Sequence, residues 1–293
     1  MAWEGAVTVE RDVVLEEVEA RPARVRRGRP YRPWRADARD VQHRAIRNES
    51  YAWPVFSPQG PSPRELATQA LSSVERGYDL LAPKFDHTPF RTPDGVLDAT
   101  ADALRPLGPF GRGLDVCCGT GAGMRVLEPL CQGRITGVDF STGMLTRARG
   151  AHPDAEWIRA DVRALPFAEA FDLVVSFGAL GHFLPAERPA LFAGVYRALR
   201  PGGLFAFPVG APQPVTSGWY WALLGFDLAM RVRNAVWRPP FVMYYRTCGL
   251  RAVRDDLTAA GLTVTTVPLT ALGRREDAGP RYGLVLARRG GTL

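Results

Sequence analysis

RGLDVCCGTGAG, residues 112–123, reads as a strand, a tight glycine turn and the start of a helix. Leu114 and Val116 flank Asp115 in a short apolar run, which then breaks into Gly119-Thr120-Gly121-Ala122-Gly123. Glycine is needed where φ is positive or where a ligand comes close to the backbone. A helix expected from Met124 to Leu130 would aim its unpaired N–H groups and positive dipole end over the turn. That makes a seat for a small anion, a phosphate or a carboxylate. An ordinary glycine-rich loop is the plain alternative.

Strand-like runs continue outward from this stretch at Arg134–Val138, Glu156–Arg159, Phe171–Ser176 and Leu204–Val209, separated by helix-like or connecting segments. Strands interleaved with helices imply a parallel, doubly wound α/β sheet. In such sheets ligands sit at the carboxyl edge, where the strand order reverses. Upstream, Ser62-Pro63-Arg64-Glu65 predicts an N-cap opening a helix toward Leu80, and Thr92-Pro93-Asp94 a second one running to Leu104. Downstream, a helix from about Cys248 to Gly261 precedes runs at Thr263–Val267 and Tyr282–Ala287 that suit an antiparallel hairpin on the sheet edge.

The glycine spacing separates two nucleotide-cofactor readings. A dinucleotide fingerprint needs G-x-G-x-x-G, whereas Gly119-x-Gly121-x-Gly123 is one residue short. The second strand ends in Asp139 of Arg134-Ile-Thr-Gly-Val-Asp-Phe-Ser141, about 20 residues past the glycines, a spacing that suits the two ribose hydroxyls of an adenosine. Ser141 supplies a helix cap of its own, which leaves Asp139 available for a ligand.

At this point the chain resembles the class I S-adenosylmethionine-dependent methyltransferases of the type 11-like, small-molecule kind, over roughly Tyr78 to Ala287. The resemblance implies a Rossmann-like, seven-stranded, mostly parallel sheet with an antiparallel C-terminal strand, helices on both faces, and S-adenosylmethionine as cofactor. In that family the glycine turn faces the methionine carboxylate and amine, which assigns Asp115, Cys117, Gly119 and Gly121. Cys117 stands where the motif's first glycine usually stands, and cysteine costs little there if φ is negative. Asp139 would hold the ribose, with Phe140 and Met144 against the adenine. After the third strand, Asp161 would accept from the adenine amino group while Val162 reads the ring through its backbone. Ser176 and Phe177 end the fourth strand beside the methyl group, and Leu199-Arg-Pro-Gly-Gly-Leu204 matches the turn before the fifth. Tyr78, with Asp86 and His87 in YDLLAPKFDH, resembles the family's lid segment, and Tyr78 is expected near the methionine end.

Methyl transfer is an in-line displacement, so alignment and exclusion of water matter most. A base is needed only for a protonated acceptor. His182 is the first candidate, and Tyr244 with Tyr245 could orient the acceptor. The (N/D/S)-P-P-(Y/F/W) pattern of enzymes acting on exocyclic base or glutamine amides is absent after the fourth strand, as is any Pro-Cys dipeptide of cytosine C5 chemistry. Residues 213–246 form an aromatic-rich insertion, including Trp219, Tyr220, Trp221, Phe226 and Trp237, where relatives roof the acceptor pocket. Its content suits a small quinone, polyketide or lipid-like acceptor. Arg231, Arg233, Arg238 and Arg246 mixed among these residues also suit peripheral contact with a membrane surface.

The rest of the composition bounds the reading. The 293 residues carry a formal charge of +7, yet Lys84 is the only lysine, so the excess resembles a bias of the whole sequence more than a dedicated basic patch. Residues 1–60 run from acidic to Arg- and Pro-rich, and are expected to be a poorly ordered extension to a methyltransferase domain spanning 61–293. Tyr31 and Trp34 among those arginines would suit stacking on RNA. An RNA-modifying or RNA-binding protein therefore stays open beside the small-molecule enzyme, as does a non-catalytic S-adenosylmethionine binder, although nucleic acid is not the favoured partner. Cys117, Cys118, Cys131 and Cys248 show neither CxxC pairing nor histidines at ligand spacing, so neither a metal nor a disulfide framework is expected. With no bilayer-length apolar run and no signal-like start, the expected place is the cytoplasm.

Overall fold

Seven strands form one sheet in the order β3-β2-β1-β4-β5-β7-β6. The computed structural model describes residues 59–88, 90–211, 215–237, 249–275 and 278–291. All of these lie in the unit Trp53–Leu293. In chain order the elements are α1 (Pro63–Leu71), α2 (Val74–Leu81), α3 (Asp94–Leu104), β1 (Gly113–Val116), α4 (Met124–Leu127), β2 (Ile135–Asp139), α5 (Thr142–Ala151), β3 (Glu156–Arg159) and β4 (Phe171–Val175). They continue with α6 (Arg188–Ala198), β5 (Leu199–Gly210), α7 (Gly218–Trp237), α8 (Leu250–Ala259), β6 (Leu262–Pro268) and β7 (Tyr282–Arg289). A 3-10 turn, Ala82–His87, continues α2.

β1 pairs in parallel with β2 and with β4, while β7 runs antiparallel to both β5 and β6. The Rossmann-like arrangement expected from the sequence is therefore the observed one, with β7 entering between β5 and the edge strand β6. Strand side chains alternate between two cores. Leu173, Val175, Leu204 and Ala206 face α3, α4 and α5, whereas Val174, Phe205 and Phe207 face α6 and α8. Phe171 shares the second face because a register irregularity separates it from Leu173.

Three expectations need correction. The helix expected from Ser62 toward Leu80 is two helices: Ser62 caps α1 through Glu65, and Ser73 caps α2 by accepting from the Arg76 N–H. The fifth strand starts at Leu199, because Leu199 already pairs with Phe171 of β4; the expected turn survives as an irregularity at residues 200–203 before Leu204 pairs with Leu173. α4 covers only four residues, too few for its dipole to make the anion seat expected of it. Any such seat must come from the turn itself.

Candidate active site

The tips of β1, β2 and β4 lie side by side, and the order reverses between β1 and β4. Leaving β1, the chain turns through Cys117 at φ 58°, Gly119 at φ 52° and Gly121 at φ 93°. The turn is anchored where the Cys118 N–H donates to the Val138 carbonyl, at 3.0 Å, and the Gly121 N–H to the Cys118 carbonyl, at 2.9 Å. Cys117 is thus left-handed, not at the negative φ that would excuse a side chain. L-residues other than Gly, Asn and Asp adopt this conformation at a cost of about 1–2 kcal/mol. Cys117→Val, which adds β-branching, is expected to lower stability by about 1–2 kcal/mol. Cys117→Gly should be neutral or stabilising, and urea melts of the two variants check the pair.

Asp115 is 1% exposed and accepts from the Gly123 N–H; its other oxygen, Oδ1, is buried without a hydrogen-bond partner. Burial raises its pKa, the neighbouring Asp139 raises it further, and the Gly123 N–H works the other way. A carboxyl raised in the fold holds its proton longer than the unfolded chain does. The stability it contributes is complete below the ordinary carboxyl pKa of about 4 and is lost as pH rises through the raised value. Asp115→Asn should therefore stabilise the ligand-free protein at neutral pH and leave it unchanged near pH 3, as thermal melts at the two pH values would show.

Asp139 is 7% exposed. Its Oδ2 accepts from the Gly119 N–H and its Oδ1 from the Ser141 N–H, both at 2.9 Å. Burial raises its pKa, and these backbone donors oppose the rise. The carboxylate thus joins the β1 turn to the β2 tip. Ser141 caps α5 by accepting from the Met144 N–H at 3.1 Å.

A strap formed by α2 and the Ala82–His87 turn crosses this edge and is tied to three loops. Asp79 accepts from the Ser141 hydroxyl at 2.6 Å and from the Gly143 N–H at 2.8 Å. Asp86 accepts from the Thr120 hydroxyl at 2.7 Å. The Tyr78 hydroxyl and His182 Nε2 share a hydrogen bond of 2.9 Å. Tyr78 also meets Phe140 edge-on, at 6.1 Å between centroids. Burial, then the charge of Asp139, pushes its phenol pKa well up, so it stays protonated. Beneath the strap lies a cavity of about 50 Å³ lined by residues including Phe85, Arg91, Asp115, Gly119 and Phe177.

The structure thus brings Tyr78, Asp115, Cys117, Gly119, Asp139, Phe140, Phe177 and His182 to one edge of the sheet. Gly121 is in the same turn but packs toward Trp157 on the core side. Other sequence-named residues are committed elsewhere. Met144 is fully buried, and the buried Ser176 hydroxyl donates to the Val116 carbonyl at 3.1 Å. Burial would raise the pKa of Asp161, but hydrogen bonds from Arg163 outweigh it and hold the carboxyl below its usual range. The Val162 side chain is buried in the α6 core, a placement that does not engage the backbone N–H expected to read the ring. Tyr244 and Tyr245 lie outside the described residues, as does the Arg-rich segment with Tyr31 and Trp34. The sequence reading missed Asp79, Thr120, Gly123 and Arg91. Arg91 lines the cavity, and its guanidinium is paired with Asp94 at 2.7 Å and lies 3.6 Å from Asp86. Only the third glycine of the turn carried a signal for any of these.

These groups fit S-adenosylmethionine chemically. A buried orphan carboxylate oxygen suits its ammonium, a guanidinium its carboxylate, and a strand-tip carboxylate its ribose. The volume does not yet fit, because sites for ligands of drug size span about 300–1,000 Å³. A ligand of that size requires the cavity's walls to part, and Phe85 of the strap is one of them.

Comparison with known proteins settles the family. A family profile described as a methyltransferase domain matches residues 114–203. An uncharacterized methyltransferase of Synechocystis sp. is 33% identical over 153 residues, covering 50% of this chain and 70% of that protein. The chain belongs to the class I S-adenosylmethionine-dependent methyltransferases. A demethylmenaquinone methyltransferase of Beutenbergia cavernae is 37% identical to this methyltransferase over 172 residues, 56% of the chain and 68% of the relative. Other curated relatives are matched over smaller shares, down to 26% of their length. Among solved structures, a complex of DhpI with S-adenosylhomocysteine aligns with 79% of this chain and 100% of its own, at 20% identity and a TM-score of 0.54, a likeness of fold. The cofactor of the methyltransferase is S-adenosylmethionine.

Proposed function

We propose that the methyltransferase transfers the methyl group of S-adenosylmethionine to a small apolar or aromatic acceptor of the quinone, polyketide or lipid-like kind, in the cytoplasm. The observation that carries this reading is the aromatic closure of the crevice. Phe85, Phe90 and Phe177 wall the cavity over the glycine turn, and Tyr78 of the strap meets His182 of the loop after β4. Flat apolar acceptors gain most from such walls. The Beutenbergia relative, whose name specifies demethylmenaquinone, supports the same acceptor class.

In this reading Asp115 Oδ1 takes the cofactor's ammonium, Arg91 its carboxylate and Asp139 its ribose hydroxyls, while Phe140 lies against the base. The cofactor supplies an electrophilic methyl group on a sulfonium. The chain's own work is to align the acceptor, exclude water under the strap and remove one proton where the acceptor carries a hydroxyl. His182 Nε2, once released from the Tyr78 hydroxyl, accepts that proton. A positioned base contributes about 10²- to 10⁴-fold. His182→Gln is thus expected to lower kcat by that factor with cofactor affinity unchanged, and an undiminished kcat would remove the base from the mechanism.

The acceptor class is tested by supplying labelled S-adenosylmethionine with naphthoquinols in one arm and small dicarboxylic acids in another. Label in the quinol is the expected result. Label confined to the acids, or found in neither, overturns the reading.

A further inference from the structure

We infer that the outer face of α7 docks on an anionic lipid bilayer, lying along the surface without crossing it. This goes beyond the assignment of the acceptor, and its test needs no turnover. Along α7, Trp221 is 60% exposed, Leu228 62%, Val232 56% and Val236 80%. With Gly225 these positions follow the spacing i, i+4, i+7, i+11, i+15, which keeps them on one helical face. Ala222, Ala229 and Ala235 are exposed as well. Val215 extends the patch at 62% exposure, held there because the Trp221 indole N–H donates to its carbonyl at 2.9 Å. That bond satisfies the one polar atom of the Trp221 side chain. Contiguous apolar surface of this kind marks a site of association.

Two observations choose the occupant. The first is charge. The single acid of α7, Asp227, is buried at 3% exposure, whereas Arg231 is exposed, and the sequence carries further arginines at positions 233 and 238. Among the described residues, an apolar helix face that exposes an arginine and no acid complements an anionic bilayer. The second is packing and length. α7 shares no extended packing with any other described helix or strand. Its 20 residues reach about 30 Å, yet no helix among the described residues is long and apolar enough to cross a membrane. An interfacial position satisfies both facts: the apolar face enters the acyl boundary and Arg231 stays among the headgroups.

The test is co-sedimentation of the full-length protein with vesicles of phosphatidylglycerol and phosphatidylcholine, set against phosphatidylcholine alone. The wild type should pellet with the anionic vesicles, and L228E/V232E should bind about tenfold more weakly or worse. Leu107→Glu, at an exposed leucine outside α7, should bind like the wild type. Brominated lipid should quench tryptophan fluorescence in the wild type and distinctly less in Trp221→Phe. Because every substituted side chain is exposed, unchanged melting temperatures certify the folds. Absence of wild-type binding overturns the inference. So does equal binding by L228E/V232E, which would assign the contact to another surface. A dimer that L228E/V232E dissociates, with no vesicle binding by either protein, also overturns it by making the face a contact between copies of this chain.

Discussion

Asp139→Ala should weaken S-adenosylmethionine binding by roughly 10- to 150-fold, the value of a charge-assisted hydrogen bond of about 1.5–3 kcal/mol. The loss has two sources in the structure. The carboxylate that would face the ribose disappears, and the Gly119 and Ser141 N–H groups lose the acceptor that now joins them. Buried backbone donors left alone cost about 1–3 kcal/mol each. The variant should therefore also be less stable, in spite of relieving a buried carboxyl whose pKa burial has raised. Asp139→Asn separates the two effects. It keeps the side-chain shape and one acceptor oxygen, so it should recover part of the stability without recovering the charged contact. Calorimetry paired with urea melts reads both. Binding by Asp139→Ala equal to the wild type would remove this residue from the cofactor site.

Gly123→Ala should damage the site as severely without altering any charged group. A Cβ built there falls 2.2 Å from Asp115 Oδ2 and 2.6 Å from its Cγ, closer than real Cβ atoms approach a neighbour. Asp115 is nearly fully buried and has nowhere to withdraw, so the turn must shift instead. Overpacking of this kind costs about 1–3 kcal/mol. Displacing the orphan oxygen should weaken cofactor binding by roughly tenfold or more. Gly150→Ala is the matched control, since a Cβ there meets nothing within 4 Å. Wild-type affinity in Gly123→Ala would mean that Asp115 does not hold the cofactor.

Much of this architecture was legible because the deciding signals are local. β1 and β3 run over the residues their strand-like runs marked, since the glycine turn closes the first and Pro153-Asp154 opens the second. Ser141 was recognisable as a cap from its place before α5. Local signals failed where two readings competed, as at Ser72-Ser73, where a second capping serine divides what reads as one helix. The strap was legible only as a resemblance. Its three ties join residues far apart in the chain, Asp79 with Ser141 and Gly143, Asp86 with Thr120, and Tyr78 with His182, and no periodicity encodes such pairs. The conformation of Cys117 could not be read from its identity, because a side chain in the left-handed region defies propensity and is held there by the surrounding turn. Likewise the sequence offered Ser176 to the ligand, whereas the pairing of β4 with β1 places its hydroxyl against the Val116 carbonyl.

The strap also sets what the cofactor has to do on arrival. A cavity of about 50 Å³ is far smaller than an adenosyl group needs, so binding is expected to part its walls, which include Phe85 of the strap and Thr120, the partner of Asp86. Releasing His182 from Tyr78 would free the imidazole at the moment the site fills. Gating of this sort links binding to assembly of the reacting groups.

The most direct test is a crystal structure of the methyltransferase with S-adenosylhomocysteine. The expected result has the ribose hydroxyls on Asp139, the amino-acid tail over Gly119–Gly121 with its ammonium on Asp115, and the strap displaced from its present ties. Product bound away from the tips of β1 and β2, or Asp139 still closed on Gly119 and Ser141 with no contact to the ribose, would contradict it.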